Sequence, residues 1–319
     1  VAQIFDGQIR FGIHSGQQHT AYADYVHLWK TVESLGYDWA SVFDHFIPIQ
    51  TDPLGPCFEG PTLLAAMAAQ TSRIRCGILV IGNTYRNPAI LANIATTIDH
   101  ISNGRLEWGI GAGWWEMEHE EYHVPFPPLG RRIRMLGEAA EIQKLLWTEH
   151  RPNFEGRYYQ LTDALAEPKP VQSPLPLWIG GAGERMTLRV VAEHADGWNT
   201  FLLPLEAYQR KLDALAEHCR AIGRDPNDIR KSLVFAPIIG DDSATRARVE
   251  AMRAAGQTPI AGTPEQIAEQ LCRYVDAGVG DFIVGARAPF NFPLLERFIN
   301  EVAPLVRAEV ARGRTVPSA

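Results

Sequence analysis

The sequence predicts an α/β protein folded as a (β/α)8 TIM barrel with insertions, and three observations carry that prediction. Short β-branched runs alternate with longer helix-period stretches throughout, the pattern of a parallel sheet with crossover helices. Eight such strand units occur, the number that closes a barrel. Polar or flexible residues stand just after most of these strands, where a barrel collects its chemistry. At 319 residues the chain is long enough for one large core. The barrel is expected over residues 1–309, with an insertion at about 148–176 and a tail at 310–319.

Taken in order, strands are expected at Ile9–His14, Trp39–Asp44, Ile74–Ile81, Leu106–Ile110, Leu177–Gly180, Gly197–Thr200, Ser232–Ala236 and Asp281–Gly285. The helices between them are read at Tyr22–Leu35, Thr62–Thr71, Pro88–Ile101, Arg131–Trp147, Met186–His194, Leu205–Ile222, Ala244–Ala255, Pro264–Ala277 and Leu294–Ala308. Thr263-Pro264-Glu-Gln266 has the form of a capping box, and Gly36, Gly223 and Gly278 stand where helices should stop. Before the fifth strand, Phe154-Glu-Gly-Arg-Tyr-Tyr-Gln-Leu161 alternates like a small hairpin and Glu167–Pro176 is proline-rich, hence the insertion. Residues after Glu309 read as a disordered tail.

Composition excludes several classes. Hydrophobic residues at 46% and charged residues at 21% describe a globular chain. A net charge of −7 argues against nucleic-acid or membrane-surface partners, which attract a basic face. Cys57, Cys76, Cys219 and Cys272 are scattered without a C-x-x-C pair, so neither zinc ribbon nor dithiol is encoded and a reducing cytosol fits. No apolar run approaches the ~18 residues of a membrane helix, and Val1-Ala-Gln-Ile-Phe-Asp6 lacks the regions of a signal peptide. A cytoplasmic protein acting on a small molecule is expected.

The strongest local signal is Pro176-Leu-Trp-Ile-Gly180-Gly-Ala-Gly-Glu-Arg185, an apolar strand running through glycines into a helix. Bare amides at a helix start attract an anion, and Gly180, Gly181, Ala182, Gly183, Glu184 and Arg185 are read as a phosphate grip. Glycines also serve tight turns that bind nothing. After the second strand comes Asp44-His45; His45 is the candidate for proton transfer because imidazole titrates near neutrality. Asp44 either orients that ring or takes local backbone bonds, and the second reading is preferred. His14 is a weaker candidate of the same type. Gly109-Ile-Gly-Ala-Gly113 admits a ligand close to the backbone or simply makes a spacious turn, and Trp114-Trp115 either covers an aromatic ring or packs. His119-Glu120-Glu121-Tyr122-His123 matches H-E-x-x-H, but its helix is short, ends by Val124-Pro125 and has no evident third ligand. It is read as a solvated, charge-rich helix, and no metal is expected.

An ordered series of motifs resembles the bacterial luciferase-like monooxygenase superfamily, within it the F420-dependent oxidoreductase branch. The series comprises Ser41-Val-Phe-Asp44-His45-Phe46, Thr71-Ser-Arg-Ile-Arg-Cys-Gly77 with Tyr85-Arg-Asn-Pro88, and Ile98-Asp-His-Ile-Ser-Asn-Gly-Arg105 with Gly109–Trp114. It continues with Phe154–Tyr159, Trp178-Ile-Gly-Gly-Ala-Gly183 and Ala195-Asp-Gly-Trp198, nearly the whole length. The resemblance implies a luciferase-like barrel holding F420, with FMN as the alternative, its phosphate in the Gly180–Arg185 turn. It also implies a non-proline cis peptide at Leu79-Val80 and a homodimer. The ring neighbours implied are Asp44, His45, Leu79, Val80, Asn83 and the backbone of Gly111, Ala112, Gly113 and Trp114. Arg131, Arg132 and Arg134 are candidate counter-charges for the glutamate tail of F420, or a solvated helix face. F420 sugar-phosphate dehydrogenases of this kind carry tryptophan where this chain has Ile49 and a catalytic glutamate where it has Trp114. Those departures argue against glucose 6-phosphate as substrate. The expected function is hydride transfer between the deazaflavin C5 and a small organic substrate, with His45 as proton donor or acceptor. The rivals are an FMN-dependent monooxygenase, a cofactor-binding protein without turnover and, distantly, a zinc hydrolase.

Overall fold

Parallel pairing builds the molecule around one barrel. The computed structural model describes residues 8–313; the Val1–Asp6 stretch and residues 314–319 of the expected tail lie outside the described residues. In chain order the strands are β1 Arg10–Ser15, β2 Trp39–Val42, β3 Arg75–Gly82, β4 Leu106–Gly111, β5 Phe154–Glu155 and β6 Gln160–Leu161, then β7 Leu177–Gly180, β8 Gly197–Phe201, β9 Arg230–Phe235, β10 Ile238–Ile239, β11 Ala261–Gly262 and β12 Asp281–Ala286. The closed barrel runs β1-β12-β9-β8-β7-β4-β3-β2, and each of its strands corresponds to an expected one. β10 and β11 form a small parallel pair that the sequence did not announce.

The boundary differences have physical causes. β2 stops at Val42 rather than Asp44, because the buried Gln17 side chain takes both the carbonyl and the amide of Phe43, at 2.5 and 3.0 Å. β9 starts at Arg230, two residues early, where Arg230 is tied to Asp281 at the head of the neighbouring strand. The expected last helix is three segments, Phe292–Arg297, a wider turn over Phe298–Val302, and Ala303–Ala311. Pro304 has no amide to give to the carbonyl four residues back, which favours such a break. Helix therefore extends two residues into the segment read as tail. The capping box at Thr263 and Gln266 forms, and Gly36 ends its helix at φ 91°.

Two tryptophans fill the barrel interior. Trp39 and Trp178 stack with ring centres 5.6 Å apart, beside Leu79, Val234 and Ile283. A Cβ on Gly12 would lie 2.4 Å from the Trp39 ring and one on Gly197 2.3 Å from Trp178, so these strand glycines make room for indoles. Beneath them, at the amino ends of the strands, Glu107 takes Arg10 and Arg75 at 2.7 and 2.5 Å, and Trp178 Nε1 at 2.6 Å. Asp281 takes Arg10 and Arg230. This charged floor leaves the opposite, carboxyl end for chemistry.

Between the helix Leu129–Thr148 and β7, the expected hairpin forms as β5 paired antiparallel to β6. Glu138 on the helix ties it down by accepting the amides of Arg157, Tyr158 and Tyr159 at 2.9, 2.9 and 3.1 Å.

Candidate active site

The residues that follow β2, β3 and β4 converge at the carboxyl end of the barrel. His45 is 7% exposed, its ring packed edge-on against Phe43, Trp114 and Trp115 at 5.2, 5.5 and 6.3 Å. Its Nδ1 lies 2.7 Å from Glu118 Oε2. Glu118 also accepts Tyr85 OH at 2.5 Å and the amides of Phe46 and Ile47 at 2.6 and 2.9 Å. Burial would push this carboxyl up, but the hydrogen bonds from His45, Tyr85 and the Ile47 amide outweigh it and hold Glu118 below the usual carboxylate range. An ionised carboxylate only accepts, so His45 Nδ1 carries its hydrogen and Nε2 is the nitrogen left for proton exchange.

Glu118 is the residue sequence reasoning missed. Four of the six residues of the helix Glu116–Glu121 are acidic, and the run reads as solvated. The structure corrects this: Glu118 and His119 are fully covered. A helix shorter than two turns has too little periodicity to mark its inner face. His119 meets Thr84 Oγ1 and Trp115 O, both at 2.7 Å, while His123 lies beyond the helix and is exposed. The two histidines of H-E-x-x-H thus serve different surroundings, and among the described residues no group of three His, Cys, Asp or Glu is placed to hold a metal.

Asp44 also departs from expectation. It makes neither a local backbone bond nor a contact with the His45 ring; it accepts Arg86 through both oxygens at 2.7 and 3.0 Å and the Gly82 amide at 3.1 Å. Arg86 reaches Glu59 as well. Asp44 therefore clamps the ends of β2 and β3 together, which fixes the backbone entering His45. His14 stands on β1 with Nδ1 3.0 Å from Ser41 Oγ. Burial, with Arg287 and His45 nearby, lowers it to about 4, so it is neutral at physiological pH.

The Leu79–Val80 peptide is cis, as the resemblance implies. The Val80 side chain fills the space that a Cβ would need at Gly111 and Gly180, at 2.7 and 2.9 Å. Those two glycines thus admit Val80 rather than leaving open backbone. Gly113, at φ 76°, turns the chain beside Thr84 and delivers Trp114 to the surface, 54% exposed. In the glycine turn, Gly181 adopts φ 120° and its amide is committed to Asn199 O at 3.2 Å. Among the described residues the amides of Ala182, Gly183, Glu184 and Arg185 have no such backbone partner. They precede the helix Thr187–His194. Glu184 pairs with Lys211 at 2.7 Å, and Arg185 is exposed.

Two polar atoms at this end are buried without a partner, Asn83 Oδ1 and Trp115 Nε1. Asn83 Nδ2 reaches Tyr159 OH of the hairpin at 3.3 Å, bringing the insertion into the site. A flat heterocycle with its own donors and acceptors, carrying a phosphate, fits this set: orphaned polar atoms that such a ring would pair and bare amides for the anion. Cys57, whose Sγ lies 3.4 Å from His45 O, is an unreactive thiol, because burial raises it to about 12.

Comparison with known proteins places this geometry in context. A family model described as luciferase-like monooxygenase matches residues 7–260. An uncharacterised protein of Mycobacterium tuberculosis (strain ATCC 25618 / H37Rv) is 38% identical over 214 residues, 67% of this chain and 72% of its own. The F420-dependent glucose-6-phosphate dehydrogenase of Kineococcus radiotolerans is 29% identical over 309 residues, 86% of this chain and 90% of its own. The structure of an F420-dependent secondary alcohol dehydrogenase in complex with an F420-acetone adduct superposes with a TM-score of 0.81 at 19% identity, covering 94% of this chain and 99% of that one.

Proposed function

Since the chain belongs to the luciferase-like monooxygenase family, we propose that it is an F420-dependent oxidoreductase that moves a hydride to or from a small organic substrate. One observation carries the reading: a covered histidine at the barrel mouth whose Nδ1 is locked to an ionised carboxylate. The dehydrogenase relatives, which are F420-dependent by name, support the choice of cofactor. Bound here, F420 supplies a hydride donor or acceptor at its C5. Ala182–Arg185 would hold its phosphate, and Asp44, Leu79, Val80, Asn83 and the Ala112–Trp114 backbone would border its ring.

In this reading His45 Nε2 gives a proton to the substrate heteroatom or takes one from it. Glu118 orients the ring and stabilises the imidazolium when it forms. Trp114 and Trp115 cover His45 and limit water near the exchange. Trp114 in place of a carboxylate, with Ile49, removes a polar anchor from the mouth and favours a substrate less polar than a sugar phosphate. The free cysteines are those of a protein kept in a reducing compartment, which supports a cytoplasmic enzyme, and no described helix is long and apolar enough to cross a membrane. A homodimer rests on the family resemblance alone and is checked by light scattering.

The decisive experiment titrates the apo-protein with oxidised F420 and with FMN, followed by cofactor fluorescence. Tight F420 and weak FMN binding is expected; the reverse order would redirect the reading to oxygenation, and binding of neither to a site without turnover. His45→Ala should then lower kcat by about 10²–10⁴-fold with little change in F420 affinity. Equal turnover of variant and wild type from about pH 5 to 9 removes His45 from the chemistry.

A further inference from the structure

The proton exchange assigned to His45 leaves a second imidazole at the barrel mouth without a task. Gly12 on β1 faces the barrel interior, where a Cβ would meet the Trp39 ring at 2.4 Å. Side chains alternate along a strand, so His14 also faces inward, one layer nearer the mouth. Its partner on β12 is Gly285, which faces inward by the same alternation because Ile283 belongs to the interior cluster of Trp39 and Trp178. Among the described residues, beyond its own chain neighbours, a Cβ on Gly285 would find only Phe235 O within 4 Å, at 3.6 Å. The space beside His14 is therefore open. The His14 and His45 rings flank Phe43, with centres 6.3 and 5.2 Å from it, so both border this end of the barrel.

Hydrogen bonding fixes which nitrogen of His14 is bare. Ser41 Oγ lies 3.1 Å from Ile13 O and 3.0 Å from His14 Nδ1. A hydroxyl has one hydrogen and a carbonyl only accepts, so both contacts are hydrogen bonds only when Ser41 donates to Ile13 O and His14 Nδ1 donates to Ser41. Nδ1 thus carries the ring hydrogen and Nε2 is an acceptor. Among the described residues no donor reaches that nitrogen. Arg287, the cation acting on His14, gives its guanidinium to Gln50 Oε1 at 2.7 Å instead.

Two lone pairs therefore await hydrogens from whatever enters, one on His45 Nε2 and one on His14 Nε2. A simple ketone or alkene has no hydrogen for either. A simple alcohol spends its single hydroxyl hydrogen on His45. An ammonium group would supply more, but the Arg287 charge acts on the same place and repels a cation. A neutral second hydroxyl beside the reacting carbon meets the requirement. A site that hydrogen-bonds such a group discriminates against the analogue lacking it, because its own polar atom is then left unpaired.

We propose that His14 is a specificity residue that accepts a hydrogen bond from a second hydroxyl of the substrate, so that the enzyme takes neutral vicinal diols, and the α-hydroxy ketones they become, ahead of simple alcohols and ketones. The proposal rests on the F420 oxidoreductase reading and narrows its substrate. His14 moves no proton: one carbinol carbon loses its hydride to the cofactor and its hydroxyl proton to His45, and the second hydroxyl keeps its hydrogen throughout. The product is the hydroxy ketone, and the reverse reaction returns the same hydride and proton.

The test compares butane-2,3-diol with butan-2-ol, which differ in that second hydroxyl, on the F420-loaded protein. Dissociation constants come from cofactor fluorescence and kcat/KM from the loss of F420 absorbance. Wild type should favour the diol by about tenfold in both, the scale of one net hydrogen bond. His14→Phe keeps a ring without nitrogens and should bind the two compounds alike. His14→Gln, which returns an acceptor at a similar reach, should keep part of the preference. Ser41→Ala frees the ring to carry its hydrogen on either nitrogen and should lose part of it. Equal affinity of wild type for the two compounds, binding of neither, or a His14→Phe protein that keeps the preference overturns the His14 assignment and leaves the F420 reading standing. A protein that binds no F420 overturns that reading and this assignment with it.

Discussion

An imidazole serves as a proton carrier when one nitrogen is committed and the other is free. At His45 the commitment is made by Glu118, a carboxylate with four donors on it. Glu118→Gln keeps the shape, removes the charge and offers an amide donor that competes for Nδ1. Turnover should fall by about 10- to 100-fold, the scale usual for a residue acting through another, while the F420 dissociation constant stays as in wild type. Glu118→Asp, which restores the charge, should recover part of the loss; steady-state kinetics with a separate titration shows both. If cofactor affinity falls together with kcat in the glutamine variant, Glu118 is shaping the pocket rather than positioning His45. A contrasting residue is Gly181, held at φ 120° with a Cβ direction 3.1 Å from Thr187. Gly181→Val should weaken cofactor binding through the distorted turn, and unchanged affinity in titration removes the turn from the phosphate site.

At the scale of elements, the barrel strands were legible because each is a short run built around apolar residues, buried along most of its length and bounded by turn residues. No tertiary knowledge is needed to see that. The His45 position was legible for the same reason, since it follows such a run. What sets its chemistry was not. Glu118 lies 73 residues away and Arg86, the partner of Asp44, 42 residues away, so both depend on how loops fold over the barrel. The glycine-rich segments were only half legible. Composition marks close approach at Gly111 and Gly180, but the approaching group is Val80 of β3, which reaches across the barrel interior to both. The hairpin was visible as an alternating run, whereas its tether, Glu138, looks from sequence like any acid on a helix. Glu138→Ala leaves three turn amides without an acceptor. Hydrogen exchange at Arg157, Tyr158 and Tyr159 should quicken, with barrel-strand amides unchanged. If exchange at those amides keeps its wild-type rate, the tether does not hold the turn.

For the whole molecule, the two ends of the barrel respond to acid in the same direction through different groups. On the floor, burial opposes ionisation of Glu107, but Arg10, Arg75 and the Trp178 N–H outweigh it and hold the carboxyl at about 2. An unfolded chain would titrate it near ~4.3. Between those values the unfolded state binds more protons, so stability attributable to Glu107 is complete above about pH 4.3 and is lost as pH falls toward 2, on the order of 3 kcal/mol in all. At the mouth, His14 is lowered to about 4 against ~6.5 unfolded. Here too the unfolded state binds the extra proton, and the loss begins earlier, as pH falls below about 6.5. Thermal unfolding followed from pH 8 to 3 should therefore decline in two stages. His14→Asn should flatten the upper stage only. Glu107→Gln should be less stable by about 3–5 kcal/mol even at neutral pH, because the half-buried Arg75 loses its carboxylate and Arg10 is left with Asp281 alone, and its lower stage should be shallower than wild type's. A Glu107→Gln profile that runs parallel to wild type through the lower stage would mean that other carboxylates govern acid unfolding. The floor would then be a packing device, its charges balanced without any net dependence on pH.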